Sequence, residues 1–123
     1  MPQLYNLKAG VSTEADLVAA PEHYQVLAAN GAAAITNGIA IITKATACAV
    51  TLGTPTSAQN GTKITFISAT AAAHTVAAAT IGFNAGDAAK DTGTFGGAIG
   101  DGFTCIAYEG EWLVTSATNV TFA

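Results

Sequence analysis

The sequence predicts an all-β protein, a small antiparallel β-sandwich or barrel that follows an extended N-terminal arm. Three observations lead to this prediction. From Val26 onward, Thr, Val and Ile alternate with Ala, as is typical of strands with two unlike faces. Turn residues such as Asn-Gly recur roughly every eight to twelve positions. No amphipathic pattern long enough for a ten-residue helix interrupts the series.

The chain divides by composition into an arm over residues 1–25 and a β domain over residues 26–123. The arm gathers several charged residues and Pro21, and it shows no sustained alternation. A segment of this kind has little stability of its own. We therefore expect the arm either to lie against another surface or to be unordered in the isolated protein.

Ten segments of the β domain carry strand patterns separated by Gly, Asn or Pro turns. They are 26–29, 33–36, 39–46, 48–53, 62–69, 73–80, 94–99, 102–108, 111–117 and 119–122. Weak similarity between "AAAITNGIAIITKATA" and "AAAHTVAAATIGFNA" sets no fixed period, so no solenoid repeat is predicted.

Two strands show which side chains face the core. In "TKITFIS", Ile64, Phe66 and Ser68 share one side, opposite Lys63, Thr65 and Ile67. In "ACAVTLG", Cys48, Val50 and Leu52 fall together in the same way. The other faces, rich in Thr and Ala, suit solvent or a neighbouring copy of the chain.

The clearest local motif is "FTCIAYEGEWLV", residues 103–114. Two alternating apolar runs flank Glu109-Gly110, which is the two-residue connection of a tight β-hairpin. The two glutamates that flank Gly110 are expected to be exposed at this turn, and so unsuited to act as a pair of catalytic carboxylates.

Charged residues make up only 10% of the chain, against roughly 25% in an ordinary soluble domain. Much of the apolar content is Ala, which buries little area per residue. Both features indicate that part of the surface is covered in the working state, most simply by oligomerisation.

The net charge is -4, and the only basic side chains are four Lys. Without Arg or a basic patch, we expect neither nucleic-acid binding nor attachment to anionic membranes. The N-terminus has no apolar run of signal-peptide length. The uncharged stretch 64–86 is long enough for a membrane span, but its period-two pattern favours a pair of strands.

Residues with reactive or metal-binding side chains are few and scattered. His74 and His23 lack the further ligands that a metal site needs, and we expect His74 to hydrogen-bond a nearby Thr or backbone group. Cys48 and Cys105 are expected to be buried and reduced, although the sequence leaves a disulfide between them open. No catalytic signature joins these residues. We therefore expect no enzyme activity, no metal and no cofactor.

The β domain contains, in order, a strand ending in "TL" followed by Pro-Thr, then "GTKITFIS", then an "AHTV" strand, and "Y-x-G-x-W" near the C-terminus. These segments resemble small structural proteins of tailed bacteriophages. The resemblance covers roughly residues 45 to 120. Proteins of this kind include head decoration (cement) proteins and domains of head or tail fibres.

The resemblance implies a homotrimeric all-β knob on the virion, assembled in the cytoplasm of the host bacterium. The N-terminal arm, and the lack of a repetitive shaft, fit a decoration protein that binds the major capsid protein on the outer surface of the head. The expected capsid contacts are Leu4, Tyr5, Leu7 and Leu17 in the arm. Copies of the chain are expected to associate through the Ala/Thr-rich strand faces.

Two alternatives stay open. One is a receptor- or carbohydrate-binding tip of a phage tail fibre, with Tyr108 and Trp112 as an exposed aromatic platform. The other concerns the architecture, because short Ala/Thr/Gly strands also suit an intertwined trimeric β-helix.

Overall fold

The computed structural model describes residues 22–84 and 88–123, which form ten strands and two short 3-10 helices, Ser57–Gln59 and Ala88–Lys90. The strands are β1 (Tyr24–Leu27), β2 (Gly31–Ala32), β3 (Gly38–Ile42), β4 (Ala49–Thr51), β5 (Lys63–Ser68), β6 (Thr75–Ala77), β7 (Thr92–Phe95), β8 (Gly102–Tyr108), β9 (Glu111–Thr118) and β10 (Val120–Phe122). The predicted all-β class is therefore confirmed. Most of the predicted arm, residues 1–21, lies outside the described residues.

The strands form two mixed sheets of five strands that pack face to face. The first sheet has the order β1-β3-β5-β8-β9, and the second has the order β2-β4-β6-β7-β10. Buried side chains from both sheets meet in one apolar cluster. The prediction of a two-sheet sandwich is confirmed, and the prediction of a barrel is wrong because neither sheet closes on itself.

The first six strands alternate between the two sheets. Each of β1, β2, β3 and β4 pairs in parallel with the strand two places later, so the chain winds around the shared core as a flattened coil. A parallel pair needs a crossover connection, and here a strand of the opposite sheet provides it in place of a helix. The prediction of an antiparallel sheet is wrong for these pairings.

The coils differ in length, which explains why the sequence shows no repeat. Tyr24 pairs with Ile39, 15 positions later, whereas Ile39 pairs with Thr65, 26 positions later. In the second sheet the corresponding steps run from Gly31 to Val50 and from Ala49 to Thr75. The coil is therefore present in the fold although the sequence has no repeat of fixed length.

The last four strands complete both sheets with antiparallel pairs. The hairpin of β8 and β9 turns at Glu109-Gly110, as predicted, and both residues have positive φ (49° and 78°). This is the backbone of a type I′ turn, which matches the twist of the paired strands. Asn119, also at positive φ, carries the chain from β9 in the first sheet to β10 in the second.

An aromatic cluster fills the space between the sheets. Phe103 lies at its centre, with ring centroids 5.1 Å from Phe66, 5.5 Å from Phe83, 6.2 Å from Phe95 and 5.1 Å from Phe122. These rings come from both sheets and from the loop that precedes residue 85. They supply the large buried area that the Ala-rich strands do not.

The predicted strands overlap the observed ones except at the second. The sequence predicts a strand over 33–36, but β2 is Gly31–Ala32 and ends before it. The side chain of Gln25 supplies the reason, because its amide donates to the Ala34 carbonyl at 3.0 Å and its carbonyl accepts from the Ala34 N–H at 2.9 Å. These two bonds hold Ala34 in place of a sheet ladder.

Asparagines in the turns join segments that are distant in the sequence, either successive coils or a coil and the β8–β9 hairpin. In each case the side-chain oxygen accepts a hydrogen bond from a backbone N–H distant in the sequence, at 2.8–3.1 Å. These contacts satisfy donors that turns would otherwise leave unpaired. The pairs are Asn30 with Ala49, Asn37 with Lys63, Asn60 with Glu109, and Asn84 with Val114.

Candidate functional site

The four residues predicted to contact a capsid lie in the N-terminal segment. Leu4, Tyr5, Leu7 and Leu17 fall outside the described residues, so their placement stays a prediction.

The predicted aromatic platform is not formed, because its two members lie in different environments. Trp112 is fully buried, and its Nε1 donates a hydrogen bond of 2.8 Å to the carbonyl of Gly53. Tyr108 is 59% exposed at the end of β8. In a strand, alternate residues face opposite sides, and the two-residue turn places Trp112 across from Ala107, on the core side. The exposure of Trp112 that the tail-fibre alternative requires is therefore not found.

His74 is buried and uses both ring nitrogens to join neighbouring segments. Its Nδ1 accepts a hydrogen bond of 3.0 Å from the backbone N–H of Cys48, so the neutral ring carries its proton on Nε2. Nε2 lies 2.9 Å from the hydroxyl of Thr70, which donates onward to the carbonyl of Lys44 at 2.6 Å. The prediction that His74 bonds a Thr or a backbone group is confirmed, and the ring bonds one of each.

The surroundings of His74 favour the neutral ring. Burial lowers the pKa of His74, and the positive charge of Lys44 lowers it further. Protonation at Nδ1 would also place a proton against the N–H of Cys48 and remove that hydrogen bond. The geometry gives His74 a structural role as an uncharged connector.

Both cysteines are buried with free thiols. Cys105 projects into the core from β8 in the first sheet, and burial raises the pKa of its thiol to about 12. Cys48 precedes β4 of the second sheet, and burial also raises its pKa, partly opposed by Lys44. Since the thiolate is the reactive form, both groups are inert in the folded protein.

Asp101 organises the glycine-rich loop that precedes β8. One carboxylate oxygen accepts from the N–H of Ala98 at 2.9 Å and from the side-chain amide of Asn119 at 3.1 Å. The Ala98 contact lowers the pKa of Asp101, and Asn119 contributes, although burial opposes the shift. The carboxylate therefore fixes the loop to the crossing between the two sheets.

Over residues 22–84 and 88–123, no cluster of three or more His, Cys, Asp or Glu side chains is placed to hold a metal ion. In the same residues, no helix has the length and apolar character needed to cross a bilayer.

Part of the outward side of the first sheet is apolar, and we call this part the apolar face. Tyr24 and Val26 on β1 are 61% and 53% exposed, and Ile67 on β5 is 37% exposed. Partly exposed aliphatic side chains continue the surface between and beside them. The apolar face comprises Tyr24, Val26, Ile39, Ile41, Ile67, Ile106, Tyr108 and Leu113. Polar side chains share this side of the sheet, namely Lys63, Thr65, Thr104, Glu111, Ser116 and Thr118.

A depression of about 160 Å³ opens on this side of the sheet. It lies where Gly102 of β8 faces Ile67 of β5, and Thr104 and Thr118 form part of its wall. Gly102 is required at this position, because a Cβ there would lie 2.0 Å from the carbonyl oxygen of Phe66. β5 and β8 therefore approach closely at Gly102, and because glycine has no side chain, the depression beside it stays unfilled.

The outward side of the second sheet has a different chemistry, and we call it the Thr/Ala face. Its side chains alternate along each strand with the buried core residues. This surface matches the Ala/Thr-rich faces that the sequence predicts. It comprises Ala32, Ala49, Thr51, Thr75, Ala77, Thr92, Thr94 and Thr121.

Sequence reasoning did not find the apolar face. In β3 both sides of the strand are apolar, so alternation does not distinguish the core side from the outer side. In β1 the outward side, Tyr24 and Val26, is at least as apolar as the inner side, which carries Gln25 and Leu27. The sequence "GIAII" did carry a signal of this apolar outer surface, because Ile39 and Ile41 share the side opposite Ala40 and Ile42. A strand that is apolar on both sides in a chain of low charge indicates a second covered surface.

Comparisons with known proteins give no relative from which to transfer a function. No protein-family model, no curated protein and no solved structure matches the chain.

Proposed function

We propose that this protein is a tailed-phage capsid decoration protein, a homotrimer that binds the major capsid protein on the outer surface of the assembled head and stabilises the head. The observation that carries the proposal is a fold with a completed core and, in addition, an extensive apolar outer face. A surface of that kind belongs to a protein that works in contact with other proteins.

The contacts and burial of His74, the two cysteines and Asp101 support a structural role over an enzymatic one. His74 is held at both ring nitrogens, and the thiols of Cys48 and Cys105 are buried. Asp101 accepts hydrogen bonds that fix a loop. Each of these groups stabilises the fold in place of serving a substrate.

The mechanism of stabilisation is mass action. A protein that binds the assembled shell but not its separated subunits lowers the free energy of the shell. At a free concentration of one hundred times Kd, each occupied site contributes about 2.7 kcal/mol. Three arms on one trimer act at high effective concentration, so individually weak contacts through Leu4, Tyr5, Leu7 and Leu17 suffice.

The test uses undecorated heads of the phage that encodes this chain. The full-length protein is expected to co-sediment with the heads in hundreds of copies and to raise the temperature at which the heads release their DNA. A chain lacking residues 1–20 is expected to stay folded and oligomeric but to remain in the supernatant. A full-length protein that does not co-sediment contradicts the proposal, and unchanged binding of the shortened chain contradicts the role of the arm.

Copy number separates this proposal from the tail-fibre alternative. Decoration requires hundreds of copies per virion, and a fibre tip requires a handful. Quantitative mass spectrometry of purified virions measures this number directly, with the major capsid protein as internal reference.

A further inference from the structure

We propose that residues 16–19, with the sequence "DLVA", form a further strand of the second sheet, parallel to β2 and on the side of β2 that faces away from β4. The inference goes beyond the proposed function and does not rest on it. It assigns Leu17 to the fold, so that Leu4, Tyr5 and Leu7 remain as the capsid contacts of the arm.

β2 is an edge strand whose free side carries unpaired backbone groups. It pairs with β4 alone, and the N–H of Ala33 donates to the carbonyl of Thr51 at 2.9 Å. Because backbone groups alternate along a strand, the N–H and C=O of Ala32 point away from β4, and within residues 22–84 and 88–123 they have no protein partner. Sheets often protect such edges with charged side chains, proline or bulges, and β2 has none of these.

The edge of β9 is covered by another segment of the chain. The N–H of Asn84 donates to the carbonyl of Trp112 at 2.8 Å, and its Oδ1 accepts from the N–H of Val114 at 3.1 Å. Beyond β2, the side-chain amide of Gln25 makes an equivalent pair of bonds to the backbone of Ala34. The peptide group of Ala32, two residues earlier, is left for a strand that the described residues do not include.

The winding of the chain determines where a strand that precedes β1 lies. Each of β1, β2, β3 and β4 pairs in parallel with the strand two places later, so a strand one place before β1 lies beside β2. The connection from β2 to β3 takes residues 33–37, and residues 20–23 give the new strand a connection of similar length to β1. Pro21 falls in this connection, where no sheet ladder needs its N–H.

The alternation of residues 16–19 determines which side of the new strand faces the core. Asp16 and Val18 share one side, and Leu17 and Ala19 share the other. Since burial of an unpaired carboxylate is costly, Asp16 faces solvent. Leu17 therefore faces the core.

Gly31 leaves space for the side chain of Leu17 at the edge of the core. Gly31 pairs directly with Val50, which is buried, so the position of Gly31 also faces inward. A Cβ on Gly31 would have no atom within 4 Å. A leucine on the adjacent strand gains apolar contact by entering this space.

The experiment measures amide hydrogen exchange by NMR without any heads present, in the full chain, in a chain lacking residues 1–20 and in a matched control lacking residues 1–10. The N–H of Ala32 is expected to exchange at least tenfold more slowly in the full chain and in the control than in the chain lacking residues 1–20. The N–H of Val26 is the internal control. It points away from β3, because the carbonyls of His23 and Leu27 accept from β3 and the segment after it, so its rate is expected to be the same in all three proteins.

Two substitutions test the predicted orientation of the strand. Leu17→Asp is expected to remove the protection of Ala32 and to lower the urea midpoint of unfolding. Val18→Asp, one position along on the solvent side, is expected to leave both unchanged. Circular dichroism verifies folding, and Leu17→Asp or the chain lacking residues 1–20 serves if the other fails to fold.

Four results overturn the inference. They are rapid exchange of Ala32 in the full chain, equal effects of the two substitutions, and slow exchange of Val26 in place of Ala32, which would put the segment beside β1. The fourth is protection of Ala32 that rises with protein concentration, because the strand would then come from a second copy. Since no heads are present, none of these results bears on head binding.

Discussion

His74 uses its two ring nitrogens to join the segment that leads into β4 to the turn that follows β5. A histidine of this kind resembles a catalytic residue in sequence, because nothing in "AAAHTV" reveals whether the ring has partners. In the structure its neutral form is required, since Nδ1 must accept the hydrogen bond from Cys48.

Protonation of the unfolded chain should therefore make stability depend on pH. The pKa of His74 is lowered in the fold, so below about pH 6.5 the unfolded chain binds a proton that the folded chain does not. The free energy of unfolding is expected to be greatest above pH 6.5 and to fall as the pH drops from 7.5 to 5.5. The slope for one proton is at most about 1.4 kcal/mol per pH unit.

Urea denaturation at several pH values measures this slope. His74→Asn keeps an acceptor near the Nδ1 position and is expected to be less stable but to lose most of the slope. A slope equal to that of the unmodified protein would show that other groups cause the pH dependence.

Trp112 provides a second prediction for a single residue. It is fully buried and bonded to Gly53, so Trp112→Ala is expected to cost about 3–5 kcal/mol of unfolding free energy. Tyr108→Ala is the control, because Tyr108 is exposed and its loss should change stability by less than about 0.5 kcal/mol. Chemical denaturation followed by circular dichroism measures both, and similar values for the two variants would contradict the burial of Trp112.

At the scale of the structural element, the asparagine turns determine how the coils stack. Asn37 accepts a hydrogen bond of 2.8 Å from the backbone N–H of Lys63, the first residue of β5. Without this acceptor, the start of β5 loses a partner that fixes it to the preceding coil.

Asn37→Ala is accordingly expected to lower the free energy of unfolding by about 1–2 kcal/mol. Asn37→Asp retains an oxygen acceptor, so its free energy of unfolding is expected to fall clearly less than that of Asn37→Ala. Denaturant titrations of the three proteins under the same conditions give the comparison. Equal losses for Ala and Asp would mean that the hydrogen bond to Lys63 contributes little.

Local chemistry made several elements predictable from the sequence. Glu109-Gly110 specifies the hairpin, and alternation in "TKITFIS" identifies the buried side of β5. Sheet pairing was not predictable in the same way, because parallel and antiparallel strands carry the same alternation. The strand at 33–36 was misplaced since the bonds between Gln25 and Ala34 join residues nine positions apart, beyond any local pattern.

At the scale of the whole molecule, one apolar cluster joins the two sheets. Cys105 enters it from the first sheet, and Cys48 enters it from the second sheet. A single cooperative unfolding transition should therefore expose both thiols together.

Thiol labelling of Cys48→Ala and Cys105→Ala, which leave one cysteine each, tests this cooperativity. Both variants are expected to resist labelling when native and to become reactive with the same denaturant dependence as the loss of Trp112 fluorescence. Labelling of one cysteine well before the other would show that the sheets open separately.

The candidate site was less predictable than the fold at this scale. The apolar face is assembled from β1, β3, β5, β8 and β9, which are brought together by the pairing that the sequence did not reveal. Low charge suggested that part of the surface is covered, and this stays a prediction. Locating that surface required knowing which side of β1 and β3 lies outward.

The winding of the first six strands also bears on how the chain is made. Synthesis proceeds from the N-terminus, so each of β3, β4, β5 and β6 emerges from the ribosome with its parallel partner already complete. The nascent chain can thus fold one coil after another, because each new strand pairs with a strand that has already been synthesised. Until β7 and β8 emerge, however, β5 and β6 are open edges, and an open edge is a surface on which a strand of another chain can pair.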